Sequence, residues 1–378
     1  MAEPAGTVPA GRTLPRDLPS LTSLRAGAAL LVFGYHLRQF DVLHLPFVGS
    51  GDTGVAFFFV LSGFLLTWGY TGSGLRRFYV RRVARVFPSH LVTWAVALVV
   101  LAATVGIDWG PAVLNAFLLQ AWVPTDRYAF SANAVAWSLS CEIAFYAVLP
   151  LVLVLVRRGS VRACWTVVIG LFLLVGVYDV LVSLPGTPAV LPLLGYVNPV
   201  LRLPQFLLGV AAATAVRAGW VIPWRTALAV CVTCAVGFGL FSERPARDFW
   251  LTPVYLVVIL VAVRLEQRGG LRWLAHPALV YAGKVSFGFY LVQELVLVHL
   301  ADAMGPGVTT AALAFALACI GAVALHHGVE LPGQTALVRR LGAVRATPPS
   351  DPVSGARATV PAPRGPRPAT DPATQPVR

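Results

Sequence analysis

Arg25 and His36 form the first pair of residues in the sequence that could support chemistry. They lie eleven positions apart within an otherwise apolar run. On an α-helix this spacing puts both side chains on one face, roughly 16 Å apart along the axis. Histidine is readily poised as a base near neutral pH, so we predict a functional His36. The alternatives are a hydrogen-bonded structural histidine and an Arg25 that extends to the lipid headgroups.

A basic segment, GSGLRRFYVRRVARVFP, carries five arginines within ten residues. On a helix, Arg81, Arg82 and Arg85 would form one patch, and guanidinium groups suit bidentate contacts with phosphate. Two partners fit this patch, namely anionic lipid headgroups and a soluble polyphosphate such as the nucleotide part of coenzyme A.

Small and acidic residues mark two further apolar runs. Ser62 and Gly63 lie in the middle of GVAFFFVLSGFLLTWGY, where small residues allow either close helix packing or the approach of a ligand to the backbone. Glu142 lies in AVAWSLSCEIAFYAVLP, and a carboxylate within a membrane span is costly unless it is bonded. We therefore expect Glu142 to have either a structural or a functional partner.

Two pairs of residues have the spacing of metal ligands. Cys231 and Cys234 form a C-x-x-C pair within an apolar run, and His326 and Glu330 are four residues apart. No second pair accompanies the cysteines, and one i,i+4 pair is weak evidence. We predict no metal, with packing thiols in the first case and an interfacial polar cluster in the second.

The amino-acid composition indicates the class of protein that holds these residues. The 378 residues are 57% hydrophobic and 12% charged, with a mean hydropathy of +0.75. A soluble domain has about twice that charge, so a secreted or cytosolic enzyme is excluded. The net charge of +13 is explained by arginines in the loops of a membrane protein, and nucleic-acid binding is not needed.

The hydrophobic runs predict an all-α polytopic membrane protein with about ten transmembrane helices. We place the spans near 21–40, 54–70, 90–107, 137–156, 163–184, 202–217, 226–241, 250–264, 280–300 and 308–327. Segment 111–123 is too short to cross a core of roughly 30 Å and is expected to be re-entrant or interfacial. With this count, most arginines face the cytoplasm, as do both termini, and the outside loops keep only Arg127, Arg244 and Arg247.

Three regions follow from this organisation. Residues 1–20 are predicted to be a cytoplasmic N-terminal tail, and residues 21–341 the transmembrane domain. Residues 342–378 are rich in Pro and Arg and have little to bury, so a disordered cytoplasmic tail is expected. The predicted location is the cell membrane, with multiple passes, and the bacterial cytoplasmic membrane in particular.

The order of these motifs resembles the membrane-bound acyltransferase 3 family. LTSLRAGAALLVFGYHL is similar to its R-x10-H signature, GVAFFFVLSGFLL to its FF-x-LSGF block, and FYVRRVARVFP to its R-x-x-R motif. WSLSCEIAFY resembles the WSLS-x-E block, while KVSFGFYLVQELVL and GVELP resemble the closing pair. Two positions depart from the pattern: Ala56 replaces an aspartate and Gln293 a histidine. We expect neither departure to touch the R-x10-H pair.

The resemblance implies an O-acyltransferase that moves an acyl group from acyl-coenzyme A to a hydroxyl of a sugar-containing acceptor. It assigns catalytic roles to His36, Arg25 and Glu142. Donor binding falls to the arginine patch Arg81, Arg82 and Arg85, together with Ser62 and Gly63. The implied partners are acyl-coenzyme A, the lipid bilayer, and a cell-surface glycan or macrolide-type natural product as the acceptor.

Two other classes of function use the same polar face. A transporter or flippase of a glycoconjugate would keep the fold without acyl-transfer chemistry, and a non-catalytic membrane scaffold is the third possibility. No paired Gly/Pro-broken helices are visible in corresponding halves of the chain, which disfavours an inverted-repeat transporter.

Overall fold

A computed structural model describes residues 17–45, 49–70, 72, 74–241 and 245–341. Within these residues all regular structure is helical, which confirms the predicted class. The predicted tail 342–378 and most of the tail 1–20 lie outside the described residues. The α-helices are α1 Pro19–Gln39, α2 Gly54–Trp68, α3 Leu75–Thr104, α4 Trp109–Ala116, α5 Asp126–Ala129, α6 Trp137–Arg158, α7 Val161–Val182, α8 Val190–Val197, α9 Pro199–Arg217, α10 Trp224–Leu240, α11 Ala246–Gln267, α12 Pro277–Met304, α13 Val308–Leu325 and α14 Leu331–Arg340.

The number of long apolar helices is lower than predicted. Eight helical segments of the described chain are long and apolar enough to cross a membrane, against the ten spans expected. They are Gly51–Trp68, Leu75–Thr104, Ala134–Arg158, Val161–Val182, Val190–Arg217, Ala246–Gln267, Pro277–Met304 and Val308–Arg340. The two other predicted spans are helical as α1 and α10. α1 contains Arg25, His36 and Arg38, which lower its hydropathy, and α10 has only 17 residues.

Helix α3 shows that one predicted boundary was wrong. The span placed at 90–107 begins fifteen residues earlier, at Leu75, directly after Gly74 with its positive φ of 85°. The arginine patch is therefore the first part of the same 30-residue helix, and the helix continues through Pro88. Because the patch and the span form one element, the bundle fixes the positions of the arginines.

The segment predicted not to cross contains only the eight-residue helix α4 and a short turn of 3₁₀-helix at Gln120–Trp122. Helix α4 is roughly 12 Å long, far short of a span. It is held to α3 by the Trp94 indole, which donates to the Ala112 carbonyl over 2.9 Å. Arg127 of α5 donates to Asp108, the residue before α4, over 2.7 and 3.1 Å, and this hydrogen bond lowers the pKa of the Asp108 carboxyl.

The centre of the bundle is a close crossing of α2 and α9. Gly63 faces the backbone of α9 at Phe206, and Gly209 faces the backbone of α2 at Val60. A side chain at either glycine would overlap the opposite carbonyl oxygen. Small residues on both helices thus allow backbone contact, as is common where membrane helices pack closely.

Two buried ion pairs, which lie away from this crossing, connect α11 to α9 and to the start of α2. Arg202 donates to Asp248 over 2.8 Å, and Arg247 donates to Asp52 over 2.5 Å. Both partners of the first pair are 3% exposed. Since lone charges are costly in an apolar interior, each pair restricts how α9, α11 and the start of α2 can be arranged.

Candidate active site

A cavity of about 280 Å³ opens among α1, α2, α3, α6 and α12. Its lining includes Arg25, Ser62, Arg81, Arg82, Arg85 and Glu142, which are six of the eight residues predicted for the site. These residues come from four helices, so the bundle brings together side chains that are distant in the sequence. We call this space the arginine cavity. His36 and Gly63 are not part of its lining.

The arginine cavity is elongated along α2. Its lining follows α2 from Val55 to Leu66, eleven residues or roughly 16 Å of helix, and continues to Tyr70 just beyond the end of the helix. Arg81 and Phe78 lie with Tyr70 at one end, while Val55, Phe58, Leu139 and Tyr290 line the other. Arg81 is thus at one end, and the other end is lined mainly by apolar and aromatic side chains with the Arg25 guanidinium 5.9 Å from the Phe58 ring centre, a pattern that suits a ligand with an anionic head and an extended arm.

Positive charge exceeds negative charge in the lining. Four guanidinium groups, from Arg25, Arg81, Arg82 and Arg85, face a single carboxylate, that of Glu142. The Nε atoms of Arg25 and Arg82 are buried without a hydrogen-bond partner. The Arg82 guanidinium lies 5.9 Å from the ring centres of Phe78 and of Tyr146. Because buried donors are normally satisfied, these free N–H groups are suited to an anionic ligand.

Arg85 is held in place by a carboxylate from the far end of the chain. Glu330 forms an ion pair with Arg85 and is itself 1% exposed. The Glu330 carboxylate also lies 3.0 Å from Nδ1 of His326 and accepts from Gln334 over 3.3 Å. The predicted cluster of His326 and Glu330 thus serves to position Arg85, and residues 326–330 form a single turn of π-helix there.

Glu142 has two hydroxyl partners within the cavity lining. Ser62 donates to Oε1 of Glu142 over 3.2 Å, and the Tyr146 hydroxyl donates to the same oxygen. The prediction that the Glu142 carboxylate has bonding partners is therefore confirmed. Tyr146 was not predicted, although its position four residues after Glu142 on one helix face is a signal that could have identified it.

His36 is buried, at 8% exposure, and lies against two residues of α12. Its Nδ1 is 2.7 Å from the amide nitrogen of Gln293 and 3.1 Å from the amide oxygen, and its Nε2 is 4.0 Å from Glu294. The expectation that neither departure touches the R-x10-H pair is wrong for Gln293. An amide offers both a donor and an acceptor, so Gln293 can hold Nδ1 in either protonation state.

Tyr290 lines the arginine cavity and lies on α12, the helix that also holds Gln293 and Glu294 against His36. Its hydroxyl donates to the Val135 carbonyl over 3.0 Å and lies 2.8 Å from Ser138. Gln293 follows Tyr290 by three residues on α12, which is roughly 4.5 Å along the helix axis. His36 therefore lies about one turn beyond the inner end of the cavity. No local sequence signal marks Tyr290, because its partners lie more than 150 residues away.

The remaining predicted residues lie outside the cavity. Gly63 is buried at the crossing with α9, which is the helix-packing alternative for the small-residue motif. Cys231 and Cys234 are free thiols of α10. In the part of the chain that the structure describes, no group of three His, Cys, Asp or Glu residues could hold a metal ion.

Comparison with known proteins agrees with this architecture. The chain matches the family described as an acyltransferase domain (Acyl_transf_3) over residues 18–327. It is 31% identical to acyltransferase MdmB of Streptomyces mycarofaciens, covering 88% of this chain and 96% of that protein. It is also 27% identical to peptidoglycan O-acetyltransferase OatA of Listeria monocytogenes, over 45% of this chain and 30% of that protein.

No solved structure matches the chain. The family match covers most of the sequence, and the similarity to MdmB extends over nearly the full length of both proteins. The resemblance found in the ordered motifs is thereby confirmed. The protein is a multi-pass membrane acyltransferase and belongs to the acyltransferase 3 family.

Proposed function

We propose that this acyltransferase moves an acyl group from acyl-coenzyme A to a hydroxyl of a sugar-containing acceptor. The observation that carries the proposal is the arginine cavity, in which four guanidinium groups face one carboxylate. Two of those guanidinium groups have a buried Nε without a partner. A coenzyme A ester has the matching parts, with phosphates at one end and a long, uncharged pantetheine arm that carries the thioester.

The donor enters from the end of the cavity that Arg81 and Arg82 line. We propose that this end, and both chain termini, face the cytoplasm, where coenzyme A esters are found. The support is the distribution of arginines: three fall in the predicted outside loops, and most of the others fall in segments predicted to be inside. The pantetheine arm then extends along α2 toward Tyr290, and Arg25 and Arg85 lie beside its path.

At the inner end, His36 acts as the general base. It takes the proton from the acceptor hydroxyl as the hydroxyl oxygen forms a bond to the thioester carbonyl carbon, a role worth on the order of 10²- to 10⁴-fold in rate. The carbon–sulfur bond then breaks and coenzyme A leaves as the thiol, with the proton that His36 took. Gln293 supports the imidazole at Nδ1, and Glu294 faces Nε2 at 4.0 Å.

Arg25 and Glu142 have roles within the cavity itself. Arg25 has a free, buried Nε and polarises the thioester or orients the donor. Glu142, bound by Ser62 and Tyr146, balances part of the positive charge. A carboxylate in this place is also the alternative base, because Glu142 lines the cavity and His36 does not.

The acceptor is a cell-surface glycan or a macrolide-type natural product. The similarity to a peptidoglycan O-acetyltransferase supports the glycan, although it covers only 45% of this chain. Either acceptor would approach His36 from the side opposite the arginines, since the donor fills the arginine cavity, and its hydroxyl would meet the thioester beside Tyr290 and Ser138, which line the inner end of that cavity. Only the acceptor hydroxyl needs to come within hydrogen-bonding distance of the imidazole.

The test uses the full chain, purified and placed in lipid nanodiscs with acetyl-coenzyme A and a panel of hydroxyl acceptors. We expect acceptor-dependent release of coenzyme A. We expect His36→Ala to lower kcat by at least about 100-fold, while the affinity for coenzyme A stays within about twofold of that of the unaltered protein. Arg82→Gln should weaken donor binding.

Three results would count against parts of this scheme. If the His36→Ala protein has a normal kcat and the Glu142→Gln protein is inactive, the general base is Glu142. If the protein does not bind coenzyme A, the proposal that acyl-coenzyme A is the donor is refuted. Movement of a glycoconjugate across the membrane without release of coenzyme A would favour the flippase.

A further inference from the structure

A second, smaller pocket lies beside the arginine cavity. Its volume is about 180 Å³, several times the roughly 30 Å³ that a water molecule occupies in the liquid. It is lined by Thr67, Tyr70, Leu153, Val156, Arg157, Thr214 and Arg217. Tyr70 lines both spaces, so the second pocket adjoins the cationic end of the arginine cavity.

The lining of the second pocket is basic. It contains the guanidinium groups of Arg157 and Arg217 and no carboxylate. Among the described residues, neither arginine forms a salt bridge. The pocket therefore has two positive charges that the described part of the protein does not neutralise.

Both arginines are held by contacts that leave most of their donors free. Arg157 lies 5.3 Å from the centre of the Tyr70 ring. Arg217 donates through one nitrogen to the Thr67 carbonyl over 3.1 Å, with the Trp68 carbonyl at 3.4 Å. A guanidinium group has five N–H donors, so several remain for a ligand. The Thr67 hydroxyl is also buried without a hydrogen-bond partner.

This donor set is suited to a phosphate group. Two guanidinium groups can each bind phosphate oxygens with paired N–H donors, and a hydroxyl can add one further hydrogen bond. The donor assigned above has phosphates in two places: a diphosphate that leads to the pantetheine arm, and a separate monoester on the ribose. Two adjacent basic spaces, separated by one tyrosine, match two separate phosphate sites.

We propose that the second pocket binds the ribose 3′-phosphate of the coenzyme A donor through Arg157 and Arg217. The diphosphate then lies at Arg81 and Arg82 in the neighbouring cavity. This inference rests on the proposed donor and goes beyond it, because it assigns a second phosphate subsite. Dephospho-coenzyme A, which lacks only the 3′-phosphate, is the direct probe.

The experiment measures equilibrium binding of coenzyme A and dephospho-coenzyme A to the full chain in nanodiscs of phosphatidylcholine. The unaltered protein should bind coenzyme A about 10- to 100-fold more tightly, since a hydrogen-bonded charge pair contributes about 1.5 to 3 kcal/mol. The Arg157→Gln, Arg217→Gln double variant should lose this preference and keep its affinity for dephospho-coenzyme A.

Two further variants keep the test sound. Arg158→Gln is the matched control, because Arg158 is exposed, as Arg157 and Arg217 are, but lines neither space, and the preference of this variant for coenzyme A should be unchanged. Arg217 binds the last carbonyls of α2, so its loss could unfold the protein. Arg157→Gln alone should lower the preference at least threefold, with the melting temperature unchanged.

The outcomes separate this inference from the proposed function. If the protein binds coenzyme A and dephospho-coenzyme A equally, the subsite is refuted and the donor stands. If neither ligand binds, the proposed donor fails and the subsite fails with it. If binding is equal and phosphatidic acid stabilises the unaltered protein but not the double variant, the pocket holds a lipid phosphate and the proposal is overturned.

Discussion

Replacing Gly63 with alanine tests whether this residue packs helices or binds the donor. At Gly63 a β-carbon would lie 3.0 Å from the carbonyl carbon of Phe206 and 3.2 Å from the nitrogen of Val210, and it would overlap the Phe206 oxygen. Non-bonded carbon atoms prefer about 3.5 to 4.0 Å. The neighbours are backbone atoms and the Phe206 oxygen is the nearest of them, so α2 and α9 must separate by about 1 Å or more.

The expected cost follows from that displacement. Overpacking a well-packed interior costs about 1 to 3 kcal/mol, and the upper half of this range applies because no side chain can rotate away. We therefore expect Gly63→Ala to lower the melting temperature by about 5 °C. Ser62 precedes Gly63 on α2 and lines the arginine cavity, so the affinity for coenzyme A should also fall.

The assay is thermal unfolding in a fixed detergent, with coenzyme A binding measured on the same samples. Gly209→Ala should behave like Gly63→Ala, because its β-carbon would overlap the Val60 carbonyl oxygen. Gly27→Ala is the control, since nothing lies within 4 Å of its β-carbon, and alanine favours a helix by up to about 1 kcal/mol. Weakened donor binding with a melting temperature equal to that of the control would refute the packing argument and assign Gly63 to the donor.

Three further results are expected. Glu330→Gln leaves Arg85 without its buried carboxylate, so the free energy of unfolding should fall by about 3 kcal/mol and coenzyme A should bind more weakly. A melting temperature equal to that of the unaltered protein would contradict this. Asp248→Asn breaks an ion pair in which both side chains are 3% exposed, so the free energy of unfolding should fall by about 3 to 5 kcal/mol. The affinity of the folded protein for coenzyme A should stay unchanged, because neither Asp248 nor Arg202 lines the arginine cavity. Treatment with EDTA should leave acyl transfer unchanged, and loss of activity restored by a divalent cation would show that a metal takes part.

Much of the fold could be predicted from the sequence because the signals are local. Long apolar runs indicate helices whatever their neighbours, and each of the ten predicted spans does contain a helix. The errors are also local. The arginines of α3 were placed before the span, although leucine, arginine and alanine all favour helix and the element continues from Leu75. For α1, polar residues such as Arg25, His36 and Arg38 make the helix less apolar than a typical span.

The candidate site was predicted in part for the same reason. Arg25, Ser62, Arg82 and Glu142 were identified because polar groups in apolar runs need an explanation, and they do line one cavity. Arg25 and His36 do lie on one helix, α1. Their spacing could not reveal that His36 lies outside the lining of the cavity, because this depends on how α1 packs against α12.

The sequence by itself determined the helices, the excess of positive charge and the motifs, since each of these depends on residues close together in the chain. The tertiary structure decided which distant residues meet: Glu330 with Arg85, Gln293 with His36, and Gly63 with the backbone of α9. These contacts join residues 143 to 257 positions apart in the chain. Such pairs depend on how each helix is rotated and where it crosses its neighbours, and the packing of the whole bundle sets both.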